Sequence, residues 1–182
     1  MKVLITGGAG FIGYHLASYL QKKKFDVTIF DNFSRGVVDP DITELSKKDN
    51  VSLVSGSCLN KSRLLDLGTD FSFVFHLAAI IGVEHVNAAP YGVVVENCTM
   101  LENVIEFCRI QKNFSRLLFP STSEVYAGTL ENFDLTLPTP EGTPLAVTDL
   151  KRPRTSYMLS KIVGEFMCNF SDLPCTVFRP HN

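Results

Sequence analysis

The sequence lacks several features that would assign it to a specialised class of protein. No apolar run approaches the roughly 20 residues that a membrane-spanning helix needs. No basic stripe is present, and the formal net charge is only −2, with both signs interspersed along the chain. This balance argues against nucleic acid or an anionic membrane surface as a partner. Internal repeats and low-complexity tracts are also absent from the sequence.

Paired cysteines are missing as well. The five cysteines are Cys58, Cys98, Cys108, Cys168 and Cys175. Their odd number, their wide spacing and the absence of a CxxC pair argue against a disulfide framework or a zinc site. We therefore expect small buried thiols in a reducing cytoplasm. The first residues, MKVLITGGAG, predict a short strand running into glycines and do not have the layout of a signal peptide.

Short apolar runs alternate with longer amphipathic segments along the chain. The runs are rich in β-branched and aromatic residues, as in strands buried on both faces. The predicted strands are 2–6, 26–30, 51–54, 71–78, 115–121 and 175–179, and the predicted helices are 11–23, 60–67, 90–112 and 156–170. This alternation predicts one α/β domain with a doubly wound, parallel Rossmann-type sheet and helices on both faces. Two polar or proline-rich segments, 32–50 and 127–155, are predicted loops.

A glycine-rich turn follows the first predicted strand directly and opens the first predicted helix. In TGGAGFIG (6–13) the glycines fit both G-x-G-x-x-G and G-x-x-G-x-x-G. Such a turn lets the backbone approach a pyrophosphate, and the helix N-terminus offers free N–H groups. The second strand ends at Asp31, whose carboxylate can accept both ribose hydroxyls of NAD and repel the 2′-phosphate of NADP. We predict NAD as the cofactor, although Arg35 could pair with a 2′-phosphate.

Tyr157 and Lys161 are four residues apart in SYMLSK and share one face of a predicted helix. Most Y-x-x-x-K matches are ordinary amphipathic pairs, but this one follows a predicted dinucleotide fold. A tyrosine with a pKa of roughly 10 is a poor base at neutral pH. The adjacent ammonium group and the positive charge of NAD⁺ would both favour the phenolate and lower that pKa. The pair therefore predicts a general base beside the nicotinamide.

Three hydroxyls and a carboxylate follow the fifth predicted strand in STSE (121–124). In parallel α/β sheets, ligands bind outside the carboxyl ends of the strands. Thr122 and Glu124 are two residues apart, so in an extended backbone their side chains point the same way. We expect Glu124 to move a proton near the substrate; the alternative is that it caps the following turn.

These motifs make the chain resemble the extended short-chain dehydrogenase/reductase superfamily, and within it the NAD-dependent sugar-nucleotide epimerases, dehydratases and decarboxylases. The resemblance rests on TGGAGFIG, DNFSRG, HLAA, STSEVY, SYMLSK and FRPHN, which occur in the family's order over the whole chain. STSEVY and KRPRTSY look most like UDP-glucuronate decarboxylases and their bacterial C-terminal-domain relatives. Simple 4-epimerases tend to have a small residue where Glu124 stands.

The resemblance implies a role for individual residues. Thr122 would bridge the sugar O4, Tyr157 would remove the proton of the 4-hydroxyl, and Lys161 would bind the nicotinamide ribose. The resulting 4-keto sugar could be reduced back, lose water or lose CO₂. The implied catalytic residues are Thr122, Ser123, Glu124, Tyr157 and Lys161. The residues expected to bind NAD are Gly7, Gly10, Phe11, Ile12, Gly13, Asp31, Asn32, Ser34, Arg35, Ser57, Cys58, Leu77, Ala78, Ala79, Asn97, Tyr157 and Lys161.

Two departures from the family pattern affect these expectations. Many relatives carry an acidic residue that contacts adenine after the third strand, whereas this chain has Ser57 and Cys58, so we expect weaker adenine selectivity without loss of NAD. Relatives also continue into a substrate domain of more than a hundred residues. We therefore expect residues 1–182 to form the NAD-binding domain with the catalytic Thr, Tyr and Lys, and a substrate domain to lie beyond residue 182.

The resemblance also implies partners. A nucleotide-sugar would be the substrate, and in relatives the helices that match 90–112 and 156–170 build an intermolecular four-helix bundle, so we expect a homodimer. The apolar stripes of these helices could instead only cover the sheet. Two other functions stay open, namely a non-catalytic NAD-binding module and a short single-domain reductase. The latter usually carries an NNAG-like segment where this chain has HLAA.

Overall fold

A six-stranded parallel sheet forms the centre of the molecule, in a computed structural model that describes residues 1–36 and 38–181. The strand order is β3-β2-β1-β4-β5-β6. The strands are β1 Lys2–Thr6, β2 Asp26–Asp31, β3 Val51–Ser55, β4 Phe71–His76, β5 Arg116–Pro120 and β6 Cys175–Phe178. The helices are α1 Phe11–Lys22, α2 Pro40–Ser46, α3 Lys61–Leu65, α4 Val83–Ala88, α5 Pro90–Arg109, α6 Ala127–Asn132 and α7 Thr155–Asn169. A 3-10 turn, Ser123–Tyr126, joins β5 to α6.

Successive side chains along a strand point to opposite faces of the sheet and pack into two separate cores, one on each face. On β1, Val3 and Ile5 pack with residues of α1 and α2, whereas Leu4 packs with residues of α3, α5 and α7. All three are no more than 1% exposed. Because both faces are covered, the strands need no polar side, which is why their sequences are continuously apolar. The predicted doubly wound fold is confirmed.

The chain changes direction across the sheet between β1 and β4. From β1 it moves outward through β2 to β3, and it then returns to place β4 on the other side of β1. Neighbouring strands whose connections leave in opposite directions open a crevice at their carboxyl ends. The segments that leave these ends, 7–10 after β1 and 77–82 after β4, therefore face each other across this crevice.

Three helices lie where the sequence predicted loops or no regular structure. Helix α2 interrupts the predicted loop 32–50, because Asp39 accepts a hydrogen bond from the Ile42 N–H and Pro40 occupies the first turn. We read Asp39-Pro40 as a turn signal, but an N-cap followed by proline is equally a helix start. Helix α6 occupies the beginning of the predicted loop 127–155, and the short α4 had no predicted counterpart.

The longest helix, α5, has 20 residues and carries acidic side chains along its length. No helix in the described ranges 1–36 and 38–181 combines the length and the apolar character needed to cross a bilayer.

Candidate functional site

A cavity of about 490 Å³ opens at the carboxyl ends of the strands, on the crevice between β1 and β4. Every residue predicted to bind NAD lines this cavity except Asn97. The glycine turn and Asp31 lie in it together with Tyr157 and Lys161, which are more than 120 positions further along the chain. The fold thus brings the predicted cofactor residues into one site, and their contact with NAD stays a prediction.

Glycine is required at two points of the turn by the close approach of other backbone. Gly7 has a positive φ of 67°, and a Cβ atom there would meet the Ala78 backbone nitrogen at 2.7 Å. A Cβ atom at Gly13 would meet Gly8 Cα at 2.5 Å. These contacts hold the turn tightly between the segment after β4 and the start of α1. The positions are therefore closed to any residue with a side chain.

The first turn of α1 is arranged to receive an anion. Gly10 occupies the N-cap position and supplies no side-chain hydrogen bond to the helix. The early N–H groups of α1 thus keep their capacity to bind an acceptor, at the end of the helix where the dipole is positive. Phe11 and Ile12 expose 81% and 67% of their surface beside this turn. A tight glycine turn with an uncapped helix start fits the pyrophosphate of a dinucleotide.

Asp31 is held in place by backbone N–H groups. Its Oδ2 accepts a hydrogen bond from Ala9 N at 3.0 Å, and its Oδ1 accepts one from Phe33 N at 2.8 Å. The side chain is 9% exposed and still lines the cavity. Because each carboxylate oxygen has a second lone pair, the fixed carboxylate can also accept ribose hydroxyls. Asp31 therefore joins the glycine turn to the end of β2 and offers acceptors to the cavity.

Asn97 acts behind the cavity wall. Its side-chain oxygen accepts a hydrogen bond from Ile80 N at 2.7 Å, and its amide nitrogen donates to Ile80 O at 3.2 Å and Ser160 Oγ at 3.1 Å. Ile80 belongs to the segment after β4, and Ser160 is on α7 beside Lys161. Asn97 thus fixes the cavity segment against the helix that carries Tyr157 and Lys161, and any effect on NAD is indirect.

Lys161 is buried at the end of the cavity nearest β5. Its Nζ donates a hydrogen bond to Pro120 O at 2.8 Å and lies 4.7 Å from the centre of the Phe119 ring. The side chain is only 5% exposed, and burial lowers the pKa of Lys161 to about 8. A buried ammonium group with one acceptor keeps two further donors for a ligand.

Tyr157 departs from the expectation that its neighbours lower its pKa. Burial raises the pKa of Tyr157, the negative charge of Glu124 raises it further, and a hydrogen bond with Thr122 acts in the opposite direction. Lys161 Nζ lies 5.8 Å from the centre of the Tyr157 ring and is directed to Pro120 instead. The expected lowering by Lys161 was wrong for this arrangement, because burial of the phenol outweighs a charge that points elsewhere.

The three predicted catalytic residues after β5 directly follow the cavity residue Ser121 but do not line the cavity themselves. Thr122 is the N-cap of the 3-10 turn, and its Oγ1 accepts a hydrogen bond from Glu124 N at 3.2 Å. Ser123 donates its backbone N–H to Pro180 O at 3.1 Å. The expectation that Thr122 and Glu124 share an extended backbone was wrong, because Thr122 caps a helical turn that contains Glu124. The capping role that we considered for Glu124 belongs to Thr122.

Glu124 nevertheless remains close to the candidate base. Its carboxylate raises the pKa of Tyr157, which places the two side chains within electrostatic reach. Its Oε1 also lies 4.0 Å from Arg154 Nη2, and both side chains are substantially exposed, at 43% and 65%. An exposed pair at this distance contributes little to stability. The carboxylate is therefore free to respond to a ligand.

Several residues that line the cavity were not assigned by the sequence. They are Phe30, Gly36, Gly56, Ile80, Ile81, Met100, Pro120, Ser121, Phe178 and Pro180. Gly36 ends DNFSRG, Ser121 begins STSEVY, and Phe178 and Pro180 belong to FRPHN, so the motifs already contained four of them. The others are apolar or glycine residues, whose sequence pattern cannot be told from that of an ordinary core.

This combination of fold and site defines a Rossmann-type dinucleotide-binding protein with a Tyr-Lys pair in its cavity. Residues 3–182 match the model of the NAD dependent epimerase/dehydratase family, and the chain belongs to this family. The predicted resemblance is confirmed, and so is NAD as the cofactor of the family.

Relatives with a curated description include both decarboxylases and epimerases. The UDP-N-acetyl-alpha-D-glucosaminuronate decarboxylase of Bacillus cytotoxicus is 34% identical over 191 residues, which cover 100% of this chain and 54% of that protein. The CDP-paratose 2-epimerase of Salmonella typhi is 33% identical over 73% of this chain and 40% of that protein.

Solved structures agree with these relatives. The Bordetella bronchiseptica enzyme WbmG in complex with NAD has a TM-score of 0.78 at 26% identity, over 98% of this chain and 52% of that chain. A UDP-galactose 4-epimerase structure has a TM-score of 0.77 at 29% identity, over 98% of this chain and 55% of that chain. The chain thus spans about half the length of these similar proteins.

Proposed function

We propose that this chain is the NAD-binding and proton-transferring part of an enzyme that modifies a nucleotide-sugar through a transient 4-keto intermediate. The observation that carries the proposal is that Tyr157 and Lys161 share one cavity with the glycine turn and Asp31. The relatives act on UDP- and CDP-linked sugars by their names, which supports a nucleotide-sugar as the substrate. The chemistry follows from the positions of the polar groups.

Tyr157 is the base in this mechanism. Its phenol lines the cavity next to Lys161, and it would take the proton of the sugar 4-hydroxyl. NAD, when bound, supplies the hydride acceptor for C4. Lys161 has two N–H donors beyond its bond to Pro120 O, and these can hold ribose hydroxyls and add positive charge near Tyr157. A ligand that draws Lys161 toward Tyr157 would favour the phenolate and so make Tyr157 a better base.

Thr122 and Glu124 act on the sugar side of Tyr157. The Thr122 side chain lies close enough to the Tyr157 phenol to act on its pKa, so it can position the same sugar oxygen that Tyr157 deprotonates. Glu124 lies within electrostatic reach of Tyr157 and can exchange a proton with a neighbouring carbon or leaving group of the 4-keto sugar. A 4-epimerase needs no such second group, so Glu124 favours the decarboxylase or dehydratase branch. The similarity to a decarboxylase over the whole chain supports this choice.

The alternative function is a non-catalytic NAD-binding module. A binding module needs the glycine turn and Asp31 but has no use for a buried lysine and a tyrosine at the far end of the cavity. Burying Lys161 is unfavourable, as its lowered pKa indicates. We therefore favour the enzyme, with residues 1–182 as its NAD-binding domain and a substrate domain supplied by sequence beyond them.

An NAD titration of the 182-residue chain tests the cofactor half of this proposal. Asp31→Asn keeps the shape of the side chain and removes its charge, so NAD binding should weaken by about tenfold while the difference between NAD and NADP narrows. Asp26→Ala, on the same strand and exposed, is the matched control and should bind NAD like the wild type. Tighter binding of NADP than of NAD by the wild type would contradict the role of Asp31.

We also propose a homodimer in the cytoplasm. Helices α5 and α7 pack side by side and leave Tyr91 on α5, Phe166 on α7 and the C-cap residue Phe170 63–81% exposed. Covering such side chains with a second copy would remove apolar surface from water. Light scattering on the complete gene product should report a dimer, and Phe166→Glu should weaken it. The cytoplasm is supported by the five cysteines, all of which are free.

A further inference from the structure

Three of the five thiols lie near the amino end of the edge strand β6, away from the cavity at the carboxyl ends of the strands. Cys108 is near the end of α5, Cys168 is near the end of α7, and Cys175 is the first residue of β6. Cys108 and Cys168 belong to the core cluster on one face of the sheet, and the partly buried Cys175 packs against it. They lie at the amino end of β6, whereas the cavity opens at the carboxyl ends of the strands. Within the described residues no group of three metal ligands occurs, so a metal site does not explain the cluster.

The seven-residue step from Cys168 to Cys175 turns back on itself, so the start of β6 returns to the end of α7. The two thiols lie close enough for each to shift the pKa of the other. Ser171 fixes the turn, because its hydroxyl donates to Cys168 O at 2.8 Å and lies 3.5 Å from Cys175 Sγ. Leu173 N donates to the same hydroxyl oxygen at 3.3 Å. Cys168 and Cys175 are therefore held as neighbours by the backbone and by one buried serine.

The two thiols have opposite environments. Cys168 is 1% exposed, whereas Cys175 is partly exposed at the start of the edge strand. The Arg116 side chain donates to Cys175 O at 3.1 Å and adds a positive charge beside the sulfur. The neighbouring Cys168 thiol, the Ser171 hydroxyl and the Arg116 charge together hold the pKa of Cys175 below its usual range, although burial acts in the opposite direction. The neighbouring Cys175 and burial raise the pKa of Cys168. Partial exposure next to a cation is the setting of a reactive cysteine.

We propose that Cys175 and Cys168 form a peroxide-reactive thiol pair, in which Cys175 is the nucleophile and Cys168 the resolving thiol. The Cys175 thiolate attacks one oxygen of hydrogen peroxide, the O–O bond breaks, and the sulfur is oxidised to a sulfenic acid as water leaves after protonation. The Cys168 sulfur then attacks the Cys175 sulfur, the S–O bond breaks, and a second water leaves. Two thiols and one hydrogen peroxide thus give one disulfide and two waters.

The other cysteines serve as internal controls for this assignment. Cys58 lines the cavity, and burial raises its pKa to about 12. Cys98 is half-buried on α5, and burial raises its pKa as well. Cys108 touches the pair but is 1% exposed, and burial raises its pKa. Cys175 is the one whose surroundings favour the thiolate, so selectivity among five thiols is the signature of the proposal.

The test is peroxide oxidation of the native 182-residue chain, followed by alkylation of the remaining thiols and peptide mapping without reduction. We expect a Cys168–Cys175 linked peptide, with Cys98 and Cys58 still reduced. In Cys168→Ser, dimedone should trap a sulfenic acid on Cys175. In Cys175→Ser, thiol loss should slow by about tenfold or more, to the rate of the remaining cysteines. Cys98→Ser is the matched control and should react like the wild type.

A second measurement keeps the proposal falsifiable if a variant fails to fold. Brief alkylation of the native wild type with limiting iodoacetamide at pH 7 should label Cys175 first. Preferential labelling of Cys98, or a peroxide-induced link that includes Cys108 in place of Cys168, would overturn the assignment. The pair lies at the amino ends of the strands and the cavity at their carboxyl ends, so the disulfide form should still bind NAD.

Discussion

The two ends of the cavity are built in different ways. At the glycine end, the carboxylate of Asp31 accepts hydrogen bonds from two backbone N–H groups, and the turn is packed against the Ala78 backbone. At the catalytic end, Lys161 is an ammonium group buried with one carbonyl acceptor. Tyr157 is a phenol whose ionisation is opposed by burial. The first end contributes to the stability of the fold, whereas the second reduces it.

The residues at the glycine end are needed for the fold, whereas those at the catalytic end are placed for chemistry. The glycine end must hold one shape for the sheet and helix α1 to pack at all. The catalytic end holds charged groups ready for partners that arrive with the ligands, and strain of this kind is typical of active sites. Substitutions at the two ends should therefore have opposite effects on the free energy of unfolding.

Gly13→Ala should have the largest effect. The new methyl group would meet Gly8 Cα at 2.5 Å and Gly7 O at 2.7 Å, and neither backbone atom can move without opening the turn. We expect a loss of about 3 kcal/mol in the free energy of unfolding and no measurable NAD binding. Urea unfolding and an NAD titration measure the two effects.

The control for Gly13→Ala is Gly142→Ala, where an added Cβ has no neighbour within 4 Å. This variant should match the wild type in both measurements. If Gly13→Ala unfolds at the same urea concentration as the wild type, the close contacts in the turn do not exclude a side chain at position 13.

Tyr157→Phe should have the next largest effect, on activity instead of stability. The ring and its packing are kept, while the ionisable oxygen is lost. General-base removal typically costs about 10²–10⁴-fold in rate. In the complete gene product, supplied with UDP-, GDP-, dTDP- and CDP-sugars, kcat should fall by that factor while NAD binding stays nearly unchanged. Tyr19→Phe, at an exposed tyrosine on α1, is the matched control. Activity within a few fold of the wild type would assign the base to another group.

The sequence predicted the glycine end of the site far better than the catalytic end. Strand, glycines, helix and the closing Asp31 are local patterns, and each depends on neighbours within about 30 positions. The pKa of Tyr157 depends on burial by distant segments and on Glu124, and neither is visible in the SYMLSK motif. The motif therefore predicted that Tyr157 and Lys161 lie together but gave the wrong direction for the pKa of Tyr157.

Two further differences have a local physical cause. Helix α2 was missed because Asp39-Pro40 begins either a turn or a helix, and the buried Ile42 and Leu45 decide between them. The direction of Glu124 was missed because Thr122 can either continue a strand or cap a turn. In both cases the same short sequence is compatible with two structures, and packing selects one.

Lys161→Met should stabilise the chain in the absence of NAD. A lysine pKa lowered from 10.5 to about 8 means that the unfolded chain binds more protons between these two pH values. The cost of burying Lys161 is therefore fully present below pH 8 and is relieved as the pH rises toward 10.5. We expect Lys161→Met to raise the free energy of unfolding by up to about 3 kcal/mol at pH 7 and by much less at pH 10.

Urea unfolding at the two pH values, without cofactor, measures this difference. Lys22→Met, an exposed lysine on α1, controls for the loss of one charge and should show no dependence on pH relative to the wild type. An equal gain for Lys161→Met at both pH values would mean that the ammonium group is not penalised by burial.

Glu124→Gln should have the smallest effect on the chain alone. It separates the effect of the Glu124 charge on the pKa of Tyr157 from the effect of burial. Burial is the larger cause of the raised pKa of Tyr157, and the Glu124 charge is the second. Removing that charge should lower the pKa of Tyr157 but leave it above the ordinary tyrosine value, and ultraviolet titration of the chain, with Tyr157→Phe as the reference, can follow it. Glu131→Gln, at an exposed carboxylate on α6, should leave the titration unchanged.

In the complete gene product, a proton-transferring Glu124 predicts that Glu124→Gln stalls after NADH appears, because the 4-keto sugar forms but cannot proceed. If Glu124→Gln turns over substrate at the wild-type rate, Glu124 does not transfer a proton and only acts electrostatically on Tyr157. The epimerase branch would then be favoured.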